Sequence, residues 1–146
     1  MGSLPPQGAG SGSGGGGGSL SSVIVSGENE NFTVTASYTN ALVVDLQQTS
    51  DHVITIVNTD GSIDMDYKIY ASADVSVSAP ADGDDSWFNV LNPNSPDTYD
   101  HDLEKSLPAT KKAGEGISNR YSWLRIQLKA DSGTPTAKIW VRGTNL

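Results

Sequence analysis

Three acidic stretches are the first places where this sequence could do chemistry: Asp64-Met65-Asp66, Asp82-Gly83-Asp84-Asp85, and Asp97 to Asp102 with His101 among them. Calcium takes six to eight oxygen ligands, and Asp-rich loops can supply them. None of the three has the ligand spacing of an EF-hand loop, and solvated turns commonly carry Asp, so the sequence assigns no metal. The two histidines, His52 and His101, are the possible general bases. A Ser-His-Asp site would need one of them, and no elbow motif holds a serine ready. Paired carboxylates for glycoside cleavage find nothing to position them. The glycine run at 14–18 has neither a preceding strand nor a following Lys-Ser/Thr, so it is not a phosphate cradle. The expectation is a protein that is not an enzyme and carries no cofactor.

A second kind of chemistry is non-covalent. In Tyr121–Ala130, Leu124, Ile126 and Leu128 alternate with Tyr121, Trp123, Arg125, Gln127 and Lys129. Period-two alternation is the mark of a half-buried strand, so the second row should be wet, yet it holds a tyrosine and a tryptophan. The last strand alternates in the same way, with Ala137, Ile139 and Val141 facing in and Lys138, Trp140 and Arg142 facing out. If Asp131–Pro135 closes a hairpin, Trp123 and Trp140 share one outward face as cross-strand neighbours, flanked by Tyr121 and Arg125. Aromatics and Arg are enriched where proteins bind one another, so these four are the candidate contacts. Trp87 and Phe88, in the apolar knot "SWFNVL", come second. The same knot could instead fold back over the indoles and seal them. A flat row of rings could also stack on a sugar, which gives the alternative of a carbohydrate-binding or adhesin module. A tail, fibre or filament subunit is a further alternative.

These residues must be positioned by strands. Segments 20–25, 31–38, 41–48, 52–58, 63–71, 75–79, 121–130 and 136–143 all read as strands, and no segment has a helical period. Segment 52–58 is apolar on both faces and should be central. Asp60-Gly61 in "TDGS" predicts a tight hairpin turn. Eight short strands separated by turns predict an antiparallel β-sandwich, jelly-roll-like. The excursion 80–119 holds four prolines and should contain short strands near 86–91 and 100–106.

The chain has 146 residues, which suits one β domain over 20–146 behind a glycine-rich segment, 1–19. Nine of its 16 glycines lie between Gly2 and Gly18. Such a segment alone is a flexible coil, and it reads as a docking arm, a tether or an added leader. Leu4, Pro5 and Pro6 are its candidate contacts. The N-terminus has no basic start and no hydrophobic stretch, so a secretory signal is not expected. No apolar run is long enough to span a membrane. There is no cysteine to staple the fold. Seventeen acidic residues against nine basic ones give a formal charge of −8, which favours solubility and repels nucleic acid.

The stretch "VNTDGSIDMDYKIYASAD", the Ser86-Trp87 pair and "YSWLRIQLKADSGTPTAKIWVRG" resemble small structural proteins of tailed-phage virions. In those proteins the penultimate strand often reads Tyr-Ser-X-hydrophobic-Arg, and the last ends with an aliphatic residue, a charge and glycine. The compact β domain, acidic surface, extended N-terminal segment and lack of cysteine resemble capsid decoration (cement) proteins in particular. The resemblance implies binding of the major capsid protein on the outer capsid surface, commonly as trimers at local three-fold positions. The arm would run across that protein or a neighbouring copy. It places the chain in the virion, after synthesis in the host cytoplasm.

Overall fold

The computed structural model describes residues 23–91 and 101–145. Its nine strands are β1 (Val23–Thr33), β2 (Thr39–Asp45), β3 (Thr49–Asn58), β4 (Met65–Ser72), β5 (Trp87–Asn89), β6 (Lys105–Leu107), β7 (Lys112–Ile117), β8 (Trp123–Ala130) and β9 (Thr136–Asn145). Sheet I runs β1-β9-β3-β7. Sheet II runs β2-β8-β4-β5, with β6 also pairing β4. Every pairing is antiparallel. The described residues contain no helix, and so no helix long and apolar enough to cross a membrane. The fold is an antiparallel β-sandwich, as the alternation predicts.

The pairings are nested. β1 pairs β9, β2 pairs β8, β3 pairs β7 and β4 pairs β5. That is one long hairpin rolled up so that successive pairs fall on alternate sheets, which is the jelly-roll arrangement. Between the sheets lie Ile54, Ile56, Ile139 and Val141 from sheet I, and Val44, Met65, Ile69, Leu124, Ile126 and Leu128 from sheet II. Each such side chain contributes about 1.5–3 kcal/mol by leaving water. β3 lies inside sheet I between β9 and β7, as its two apolar faces require. Gly27 lets β1 pass close to β2, for a Cβ there would meet Val44 Cγ2 at 2.7 Å.

The rolled hairpin corrects several expectations. β8 and β9 do not form a hairpin: Asp131–Pro135 carries the chain from one sheet to the other. Likewise "TDGS" joins β3 of sheet I to β4 of sheet II and closes no hairpin. Its reversal is set by the Asp60 carboxylate, which accepts the backbone N–H groups of Ser62 and Ile63, each at 2.8 Å. Residues 23–25 and 31–33, expected in two strands, do not form two, and 34–38 lie outside any strand. A single β1, bulged near Ser26 and Glu30, replaces them. Segment 75–79 has the strand alternation but is not a strand. Val75 and Val77 point into solvent, Val77 fully exposed. β7 was not expected, because Gly114 and Gly116 erase its outward row. Of the two short strands expected in the excursion, β5 falls within 86–91, whereas β6 overlaps only the end of 100–106 and reaches Leu107.

Candidate functional site

The outward faces of the two sheets carry the candidate residues, and the chain treats them differently. On sheet II the outward row of β8 is Trp123, Arg125, Gln127 and Lys129. Beside it on β4 run Ser72, Tyr70, Lys68 and Asp66. Residues 73–86 leave β4 and return as β5, laying Trp87 over this row. Trp87, Tyr70 and Trp123 form a buried cluster with Ala79 against it. Trp123 is 8% exposed. The Trp87 indole N–H donates to Ala81 O at 2.9 Å, and Ser72 bonds Ser86 at 2.8 Å, so the loop is tied at both ends.

Arg125 is the centre of this cover. Its guanidinium lies 4.5 Å from the Tyr70 ring centroid and 4.7 Å from that of Trp87. Cations stack on aromatic faces through the ring quadrupole, and a desolvated contact is worth about 2 kcal/mol. Arg125 Nη1 donates to Asp82 O at 2.9 Å and lies 3.3 Å from Asp82 Oδ1. Asn40 holds the same carboxylate from β2 at 3.0 Å, and Gln127 donates to Asn40 at 3.0 Å. The residues that suggested a wet recognition row therefore clamp a loop. Further along, Tyr38 lies under Lys68 and Lys129, at 4.4 and 5.1 Å, and donates to Glu104 at 2.9 Å. Burial and the Glu104 carboxylate push its phenol well above the ordinary range.

Tyr121 leaves the expected row altogether. It precedes β8 and packs edge-on against Phe88, 5.1 Å between centroids, at the border of the main core. Trp87 and Phe88, adjacent in sequence, thus face opposite sides of sheet II. Leu4, Pro5 and Pro6 lie outside the described residues, as does the arm 1–19.

Sheet I is different. Trp140 stands half-buried on its outer face, and its indole N–H donates to Glu30 at 3.1 Å. Arg142 pairs with Glu28 at 3.6 Å. Around them Val25 is 54% exposed and Val53 52%. On the neighbouring edge strand Gly114 and Gly116 leave bare backbone, with nothing within 4 Å of where a Cβ would be. No described segment lies over this face. Trp123 and Trp140 sit in different sheets, so the shared aromatic face does not form.

The acidic stretches serve local structure where they are described. Asp82 is engaged by Arg125 and Asn40, and Asp84 accepts the Ser86 N–H at 2.8 Å, which holds its carboxyl below the usual range. Asp66 faces Lys129 at 4.0 Å, and burial raises its carboxyl. Residues 97–100 lie outside the described residues. Among the described residues no three His, Cys, Asp or Glu side chains converge where a metal could sit. One hydroxyl–imidazole pair does form: Thr49 Oγ1 and His52 Nε2 are 2.6 Å apart. Both residues are buried, and burial lowers the His52 pKa.

Sequence reasoning missed Tyr70, Val25, Val53 and the two glycines of β7, and it read Asp82 as a possible calcium ligand rather than as the partner of Arg125. For Val25 and Val53 a signal was present, since each is apolar at an outward position of its strand. No protein-family model matches the chain, and no curated protein is similar to it.

Proposed function

We propose that this chain is a non-enzymatic structural protein of a virion, a decoration protein that binds the outer capsid surface and works by protein contact alone. The observation that supports the reading is the outer face of sheet I, over which no described segment lies and where Val25 and Val53 are exposed beside the half-buried Trp140. A half-exposed tryptophan beside apolar and Arg side chains is the composition of a protein contact. The jelly roll serves capsid subunits and sugar-binding domains alike, so the fold is compatible with this role without selecting it. The sugar-platform alternative needs two indoles on one face, and here they lie in different sheets. In this reading the major capsid protein is met by the segment 1–19, with the body making contacts between subunits.

The test is occupancy on particles prepared without the protein. Deleting residues 2–18 should abolish binding, and Trp140→Ala should lower it. If both variants fill particles as the parent does, the role assigned to the arm and the face is wrong.

A further inference from the structure

The uncovered face can be written as three rows, read from β1 through β9 and β3 to β7. The first is Val25, Arg142, Val53, Gly116 and the second Glu28, Trp140, Thr55, Gly114. The third begins with Glu30, at the β1 bulge, and continues Lys138, Val57, Lys112. The face is polarised. Carboxylates line the β1 edge, and Lys112 stands at the β7 edge. The bulky indole is on β9, while small Thr55 and bare Gly114 lie on β3 and β7.

We propose that this face meets the same face of a second copy of the chain, across a two-fold axis parallel to the strands. The inference rests on reading the face as an interaction surface, and it names the occupant. Such an axis reverses the strand order of the second copy, so β1 lies over β7 and β9 over β3. Each row then meets itself. Glu30 of one copy opposes Lys112 of the other, twice per pair. The Trp140 indole comes down over Thr55, and Glu28 faces the open space above Gly114. The stem of Lys138 lies on Val57. A two-fold axis across the strands would do the opposite: it would set Glu28 on Glu28 and Trp140 on Trp140. Like charges face to face are disfavoured, so the charge pattern selects the parallel axis. Four strands of up to eleven residues offer about 19 by 36 Å of sheet, the order of the ~800 Å² per partner in a standard interface. A contact of this kind closes on itself, which places pairs rather than trimers on the particle.

Sedimentation equilibrium of the full chain tests this. The expected mass is that of two chains. Lys112→Glu should weaken the pair about tenfold at low salt, since each two-fold contact is altered twice. Glu30→Lys should do the same, although it also removes the acceptor of the Trp140 N–H. The double variant, Glu30→Lys with Lys112→Glu, should restore the dimer to within about threefold of the parent. Within one copy the two positions are about 14 Å apart across three strand spacings, so rescue can come only from between copies. Trp140→Ala should give monomers. A monomer at all concentrations, a trimer, or a double variant no better than either single change overturns the inference. If the free chain is monomeric while Trp140→Ala still empties particles, this inference falls and the decoration reading stands.

Discussion

Trp123 and Trp140 occupy like positions on the last two strands, each on the outward row beside an arginine two residues on. Trp123 is sealed beneath Trp87 and the Arg125 stack. Trp140 stands on an open sheet with one hydrogen bond to Glu30. The strands do not make the difference; the connection does. Residues 73–86 return over sheet II before β5 begins, whereas no described segment crosses sheet I. A strand's alternation divides its residues between core and outer face. Whether an outer face is wet depends on where the connections pass.

The comparison breaks first at the two tryptophans of unlike exposure. Trp87→Ala removes the ring over Arg125 and the anchor of the loop. It should cost about 3–5 kcal/mol of unfolding free energy in urea, the range for emptying a buried aromatic site. Trp140→Ala removes a half-exposed ring and should cost about 1 kcal/mol or less under monomeric conditions. Equal losses would mean that the two faces are not different in kind.

A smaller effect separates glycines by the side on which they lie. Gly27→Ala drives a Cβ into Val44, and overpacking of this kind costs about 1–3 kcal/mol. The denaturation midpoint should fall with little change in slope. A midpoint equal to the parent's would show that β1 can shift away from β2, and that the close crossing is not a constraint on the sandwich.

Much of this architecture was legible. Alternating apolar residues placed β3, β4, β8 and β9, and the outward set Lys138, Trp140 and Arg142 was read correctly. Pairing was not legible. Adjacent strands joined by a short turn suggest a hairpin, yet in a rolled hairpin the short turns at 59–62 and 131–135 cross between sheets. The segment 75–79 has strand composition but no neighbour to bond, and alternation carries no information about neighbours. β7 was hidden because two of its three outward residues are glycine. The bare face was half legible. Trp140 was visible, but Val25 and Val53 gained meaning only once β1 and β3 were placed on either side of β9.

Acid probes the sandwich from within, at the inner side of the bare sheet. His52 is buried, its Nε2 bonded to Thr49 Oγ1 and its Nδ1 without a partner, and a Cβ on Gly143 would touch its ring. Burial lowers its pKa below the unfolded value of about 6.5. Above that pH the imidazole is neutral in both states and contributes no pH dependence. Below it the unfolded chain binds a proton that the folded one resists, so stability falls as pH falls, until the folded pKa is passed. The slope from this one group is at most about 1.4 kcal/mol per pH unit. Denaturation midpoints of His52→Gln should lose this component between pH 6.5 and the folded pKa. A variant with the parent's slope in that window would place the acid sensitivity elsewhere.

The smallest effect is the sharpest on the bare face itself. Gly116 lies opposite Val53 on the edge strand, with nothing within 4 Å of the position a Cβ would take and no positive φ to hold it as glycine. Gly116→Ala therefore meets no obstacle in the single chain. It should stabilise the monomer by about 0.4–1 kcal/mol, because the unfolded chain loses freedom that the folded strand never used. In the two-fold pair the same methyl faces Val25 of the other copy, an apolar neighbour. The monomer's gain should therefore survive dimerisation. Gly114→Val makes the contrast: its branched side chain fills the space that faces Glu28 of the other copy, next to the indole over Thr55, so it should leave the monomer folded and weaken the pair. A valine at 114 that leaves the dimer intact would put β1 of the other copy somewhere other than over β7.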